Sequence, residues 1–368
     1  MKVFKVKIIG AGSIGNHLSH AARTLGWSVD LCDLDPAALE RTRQEIYPAR
    51  YGQWDSAIRL FPCPEAPRGG YDLIFIGTPP DSHNPLALSA IAEQPRALLV
   101  EKPFCTPDLV LAGQVWEAAS AAGVAVFTGY DHVVGQATEQ MSAILASGVL
   151  GAPQTLDVEF REHWGGIFAA HPWLSGPADS YLGFAHRGGG ASGEHSHAIN
   201  LWQHFAHALG AGHIVEVQAM MDFVVDGTLN YDRLCLLNLR TASGLTGRVV
   251  QDVVTKPSRK WARLQGTEGA VEWHCGYRAG VDAVFVQLAQ HPQEEFLYPK
   301  TRPDDFIREL RHLETALTAD ATASPIALAR GLDTMLVVAA AHQSARRGRT
   351  LRIDYQRGYT TEALLGGD

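Results

Sequence analysis

The apolar run from Phe4 to Ile9 leads directly into Gly10-Ala11-Gly12-Ser13-Ile14-Gly15, and a helical pattern follows. A strand feeding a glycine turn that opens a helix constrains this chain more than any other feature, because each glycine has a separate task. Gly10 permits the tight turn, and Gly15 lets the helix pack closely on the strand. Gly12 lets a pyrophosphate approach backbone N–H groups at the helix N-terminus, where the helix dipole favours an anion, with Ser13 and Ile14 completing the loop. The next strand ends at Cys32 and Asp33. A carboxylate there accepts from the hydroxyls of an adenosine ribose, and no Arg follows to hold a 2′-phosphate, so NAD is expected over NADP.

The same grammar continues to about residue 128. Short apolar runs at Ser28 to Cys32, Leu73 to Ile76, Ala97 to Val100 and Val124 to Thr128 alternate with helical stretches. Thr106 and Pro107 predict the start of one such helix and Gly123 its end. Nearly wholly apolar strands predict a parallel sheet covered on both faces by helices.

Beyond Thr128 the pattern becomes a helix near Thr138 to Ala146, a loop-rich span and a helix from about Glu194 to Leu209. Strands parted by turns such as Asp226-Gly227 and Gly266-Thr267-Glu268-Gly269 come next, and Ser324-Pro325 opens an apolar helix reaching Arg347. At 368 residues the chain exceeds the usual single domain. The expected fold class is an α/β N-terminal Rossmann domain, a doubly wound parallel sheet over residues 1–128. An α+β C-terminal domain with an open, mostly antiparallel sheet follows over 129–368 and carries substrate binding and oligomerisation. A homodimer or homotetramer is expected, because an open sheet with few helices needs a cover.

Composition narrows the partners. With 31 Lys and Arg against 39 Asp and Glu the formal charge is −8, which gives no general attraction to nucleic acid or anionic lipid. Five dispersed cysteines, none in a Cys-x-x-Cys pair, argue against a disulfide framework and for a reducing compartment. Lysines interrupt the apolar N-terminus before a signal core forms, and no membrane-spanning run occurs; a soluble cytoplasmic protein is expected. His195, His197, His204 and His207 crowd one stretch, but their spacing is not a recognised zinc signature, so no metal is expected there.

Further motifs join the glycine loop: Gly77-Thr78-Pro79-Pro80-Asp81-Ser82-His83 after one strand, and Glu101-Lys102-Pro103 after the next. Later come Gly188-Gly189-Gly190 before Glu194-His195-Ser196-His197-Ala198-Ile199-Asn200, and an Ala-rich C-terminal helix. In this order they resemble the glucose-fructose oxidoreductase / inositol dehydrogenase / rhizopine catabolism (Gfo/Idh/MocA) family across nearly the whole chain. The resemblance implies an NAD-dependent dehydrogenase that oxidises a secondary hydroxyl of a sugar, cyclitol or sugar derivative. It implies that Lys102 hydrogen-bonds the reacting hydroxyl, with Glu101 and a cis Pro103 shaping the loop. Thr78, Pro79, His83, Glu101 and Lys102 line the nicotinamide side, and His197 removes the hydroxyl proton. Imidazole suits that task because it titrates near neutrality.

The sequence departs from the family pattern at two places. Gly193 stands where an Asp is commonest, leaving Glu194, three residues before His197, as an alternative helper if both share one helix face. After Gly129 the chain reads Tyr130-Asp131-His132 where relatives often carry Tyr-Asn and then Arg. The usual cation is thus missing, and Tyr130 and Asp131 are expected to meet a neutral polyol or a cationic amine. Trp164 and Asn200 complete the candidate substrate contacts, with loop packing an equal reading for Trp164 and packing an alternative one for Asn200. The same family resemblance also covers NAD-dependent glycosidases that oxidise transiently and a catalytically silent sugar-sensing regulator.

Overall fold

A computed structural model describes residues 3–169, 171 and 173–366. The first of its two compact units takes the chain up to Cys105, with Leu111–Asp131 and Thr301–Gly331; the second takes Thr106–Val110, His132–Lys300 and the chain from Leu332 on. The units are therefore not the contiguous spans 1–128 and 129–368. Residues 301–331 return to the first unit, where the Thr128 amide donates to the Ile326 carbonyl at 2.8 Å and Phe127 forms a bridge with Ala327.

In the first unit, strands β1 (Lys5–Ile9), β2 (Ser28–Asp33), β3 (Ile58–Pro62), β4 (Leu73–Ile76), β5 (Ala97–Glu101) and β6 (Ala125–Gly129) pair in the order β3-β2-β1-β4-β5-β6, all parallel. This is the doubly wound order with its reversal between β1 and β4, the crevice where such sheets bind ligands. Every residue of β4 and β5 is buried. The helices are α1 (Ser13–Thr24), α2 (Pro36–Arg41), α3 (Tyr47–Tyr51), α4 (His83–Ala92) and α5 (Ala112–Ala122), joined late in the chain by α10 (Arg302–Ala316). Helix α10 meets α1 through His17 stacked on Phe306, ring centroids 4.6 Å apart.

The second unit holds a ten-stranded sheet in the order β14-β13-β12-β11-β7-β10-β9-β8-β15-β16. Its strands are β7 (Pro153–Arg161), β8 (Ile214–Asp226), β9 (Leu229–Thr241), β10 (Thr246–Asp252), β11 (Arg259–Gly266), β12 (Gly269–Arg278), β13 (Val281–Leu288), β14 (Glu294–Pro299), β15 (Leu351–Ile353) and β16 (Leu364–Gly366). Among the described residues only β7 and β10 pair in parallel in this sheet, so the expectation of a mostly antiparallel sheet holds. Its helices are α6 (Gln136–Ser147), α7 (Trp164–Ala169), α8 (Ala191–Glu194) and α9 (His197–Ala208), with most of α11 (Leu328–Arg347).

Several boundaries differ from the sequence reading. Thr106 does not cap α5: its hydroxyl donates to the Asp108 carboxylate, and the helix waits until Ala112, after Leu109 and Leu111 take left-handed φ values of +60° and +64°. Strand β3, at the sheet edge, was not anticipated. The helix expected from Glu194 to Leu209 is broken at His195 and Ser196 into α8 and α9. The last helix opens at Leu328 rather than beside Pro325.

Candidate active site

The glycine loop between β1 and α1 behaves as three different positions. Gly10 has φ +105°, and a Cβ there would lie 2.7 Å from the Gly77 carbonyl oxygen. A Cβ on Gly15 would come within 1.9 Å of the Gly10 carbonyl oxygen, whereas one on Gly12 meets nothing within 4 Å. The turn and the helix contact are thus filled, while the space at the helix start stays open for a phosphate. Asp33 reaches this loop from the end of β2: its Oδ2 accepts from the Ala11 amide at 2.7 Å and its Oδ1 from the Asp35 amide at 2.9 Å. Ser13 is held by Arg50 of α3, which donates to its carbonyl at 2.9 Å and its hydroxyl at 2.8 Å. This places a guanidinium beside the cradle that no motif announced. Together these residues fit a dinucleotide: room at Gly12, a nearby cation, and a carboxylate at the loop edge.

Two further segments follow the C-terminal ends of strands in the same sheet. After β4, the Thr78 hydroxyl lies 2.7 Å from the Ser82 hydroxyl in the Thr78-Pro79-Pro80 turn. After β5, the Lys102-Pro103 peptide is cis, as the resemblance implied. His83 ties the two loops together, its Nε2 2.7 Å from the Thr78 carbonyl and its Nδ1 3.0 Å from the Pro103 carbonyl. It is fully buried, and burial lowers its pKa below the usual value. Expected among the cofactor contacts, His83 lies between the two loops, and its neutral ring donates to one of these two carbonyls.

Lys102 is half-buried, and its amide donates to Glu101 Oε2 at 3.3 Å. Glu101 is buried against Gly129, where a Cβ would stand 2.8 Å from its carboxylate. Burial and then the neighbouring Asp131 charge push the Glu101 carboxyl up to about 8. A third acid, Glu309 of α10, is also buried; neither of its oxygens has a hydrogen-bond partner among the described residues. Burial, followed by Glu101 and Asp131, raises its pKa well above the ordinary range. The cation expected to be missing beside Asp131 arrives from far along the chain: Arg302 Nη1 is 3.6 Å from Asp131 Oδ2. Tyr130, expected to face substrate, is completely enclosed and packs in the core.

In the second unit, His197 opens α9 with its ring 4.7 Å from that of His132 and stacked at 6.1 Å on Phe160, which in turn stacks on Trp273 at 6.0 Å. His132 lay within a motif already noted but was not singled out. The break at His195-Ser196 removes the argument that Glu194 and His197 share one helix face, because the two stand on separate helices. Just before Glu194, the Ser192 amide and hydroxyl donate to Asp232 at 2.7 and 3.0 Å, and the hydroxyl lies 3.0 Å from His342 Nε2. A Cβ on Gly190 would overlap the Asp232 carboxylate, which accounts for glycine there.

Asn200 is buried and donates to the Thr334 hydroxyl at 3.0 Å, so it joins α9 to α11. Trp164 packs on a cluster of Ile167, Leu182, Ala191, Tyr231 and Val253. His204 Nε2 lies 2.9 Å from the Ser142 hydroxyl.

Comparison with known proteins accords with this geometry. Residues 4–130 match the GFO_IDH_MocA oxidoreductase family with an NAD-binding Rossmann fold, and residues 138–272 match the GFO/IDH/MocA C-terminal domain. No curated protein sequence matches. Among solved structures, an Agrobacterium radiobacter oxidoreductase in complex with NAD+, L-tartaric acid and magnesium is 21% identical, with TM-score 0.75 over 95% of this chain and 98% of its own. An inositol dehydrogenase homolog from Azotobacter vinelandii complexed with NAD+ is 17% identical, with TM-score 0.76 over 96% and 98%. A levoglucosan dehydrogenase in complex with NADH and levoglucosan is 15% identical, with TM-score 0.76 over 96% and 100%. At these identities the likeness is one of fold.

Proposed function

The chain belongs to the GFO/IDH/MocA oxidoreductase family, whose N-terminal domain binds NAD, and from that premise we propose that it oxidises a secondary hydroxyl of a sugar, cyclitol or sugar derivative. The observation that carries this reading is the shared strand edge: an open phosphate cradle at Gly12 lies in the same sheet as Lys102, whose loop His83 braces. Bound NAD supplies the acceptor for the hydride. Lys102 donates a hydrogen bond to the substrate hydroxyl, favouring the alkoxide character that develops as its proton leaves. His197 accepts that proton.

Asp33, Gly10, Gly12, Gly15, Ser13 and Ile14 hold the dinucleotide, Asp33 by accepting from the ribose diol, with Arg50 balancing the pyrophosphate charge. Thr78 and Pro79 border the nicotinamide side. Asp131 favours a neutral polyol over an anion. Levoglucosan, bound by one structural neighbour, is a neutral polyol of this kind. A second copy of the chain covers exposed apolar side chains on β8, where Met220 and Val225 are 71% and 72% exposed. Among the described residues no helix is long and apolar enough to cross a membrane.

The test is NAD reduction, read by absorbance, against a panel of cyclitols, free sugars and nucleotide sugars. With the responding substrate, His197→Ala and Lys102→Ala each lower kcat by about 10² to 10⁴ while NADH affinity changes little. Near-native turnover in both variants overturns the assigned roles. A rise of activity from mildly acidic to mildly alkaline pH disappears in His197→Ala; if it persists, the base is another group.

A further inference from the structure

We propose that His207, His213 and Asp333 form a binding site for a divalent transition-metal ion of the zinc class, separate from the residues assigned to hydride chemistry. They come from three segments of the second unit: the last turn of α9, the loop ahead of β8, and α11. One ligand atom from each lies within 4.8 Å of the other two. The His207 and His213 rings stand edge to face with centroids 5.2 Å apart, and His213 Nδ1 is 3.1 Å from Asp333 Oδ2.

The donor set selects the ion. Two imidazoles and one carboxylate with a side open to solvent match three-ligand zinc sites, and the nitrogen donors disfavour magnesium and calcium. The open side is real: His213 is about half exposed, its side chain at 48%. Metal-to-ligand bonds of about 2.0–2.2 Å require the donors to stand roughly 3.5 Å apart in a tetrahedron, so small ring rotations close the site.

Asp333 supplies the electrostatic reason. It is 3% exposed, and a carboxylate withdrawn from water needs a cation or full hydrogen bonding. Tyr359 donates to its Oδ1 at 3.3 Å, a long bond, and only the half-exposed His213 ring stands against its Oδ2 among the contacts described above. A divalent ion brings two positive charges. The surroundings already orient the ligands: Tyr359 holds the far oxygen of Asp333, and the His213 ring lies 4.6 Å from Tyr355, whose phenol donates to the Ile214 carbonyl at 2.9 Å. Metal sites use such outer partners to fix ligand orientation. Local histidine spacing could not reveal the site, because two of its three ligands lie outside the histidine-rich stretch and one is an aspartate far along the chain.

The experiment titrates Zn2+ into chelator-treated full-length protein in competition with a chromophoric chelator, and repeats the titration with Co2+ while recording visible absorption. About one equivalent binds, and Co2+ gives the intense d–d bands of four- or five-coordination. Asp333→Asn and His213→Gln each weaken this equivalent by about 10–100-fold or more and remove the bands. His213 is half exposed, so its variant keeps the assay interpretable if Asp333→Asn does not fold; circular dichroism confirms the fold. Absence of a saturable equivalent, or one that survives His213→Gln with unchanged affinity and spectrum, overturns the site and leaves a simple histidine-aspartate contact. Because the readout is metal binding, it stands or falls apart from the proposed dehydrogenase activity.

Discussion

Alanine at Gly12 and at Gly15 separates cofactor binding from folding within a single loop. At Gly15 the new Cβ would sit 1.9 Å from the Gly10 carbonyl oxygen and 3.0 Å from its carbon, with Leu31 Cδ1 at 3.5 Å. The obstacle is backbone of the tight turn, so no side-chain rotation relieves it, and α1 must move away from β1 by about 1 Å or more. Overpacking of this kind costs about 1–3 kcal/mol, here toward the upper end. For a unit of this size each kcal/mol lowers Tm by about 2–4 °C, giving a loss of about 5–10 °C. At Gly12, φ −79° and ψ −160° are open to alanine and nothing lies within 4 Å. The folding cost is that of a poorer N-cap, about 1 kcal/mol or less. The same Cβ occupies the space a pyrophosphate needs, so NADH affinity falls by about tenfold or more, equivalent to about 1.4 kcal/mol. Thermal melts and NADH fluorescence titrations read the two effects. Wild-type NADH affinity in Gly12→Ala, or a Tm in that variant as low as in Gly15→Ala, refutes the division of labour.

Two other perturbations probe the supports of the Lys102 loop. Glu101 has a folded-state pKa raised from 4.5 to about 8, so its contribution to stability is present below about pH 4.5 and is lost as pH rises through 8. Glu101→Gln, which cannot ionise, therefore gains on the wild type between pH 6 and 9 by about 1–3 kcal/mol, and a pH-independent gap between their thermal melts would contradict the buried, protonated assignment. His83→Ala removes the clamp between the Thr78 and Pro103 carbonyls and leaves a cavity; a loss of about 2–4 kcal/mol is expected in urea unfolding, and an unchanged midpoint would remove its bracing role.

What the sequence made legible was decided by distance along the chain. The β1 turn and the hairpin at Gly266 to Gly269 are encoded by residues that touch their own neighbours, and both appear where expected. Edge strand β3 was missed because it is only partly buried, with Arg59 pairing outward to Asp30 and Pro62 at its end, so it lacks the continuous apolar run that marked the inner strands. The break between α8 and α9 has no glycine or proline to announce it. At the break the His195 carbonyl accepts from the Ala198 amide three residues on, at 2.8 Å, and from the side-chain amide of Gln251 of β10. The start of α5 was misplaced because Leu109 and Leu111 adopt left-handed backbone that no propensity assigns to leucine. The site divides in the same way. Gly10, Asp33 and Lys102 were proposed from motifs, since strand ends and turns position them locally. Arg50, Arg302 and Glu309 were not, because their chemistry is created by the fold: Arg302 matters through Asp131, and Glu309 through burial near Glu101. Substituting such residues should therefore change the charge balance of the strand edge while leaving every recognisable motif intact.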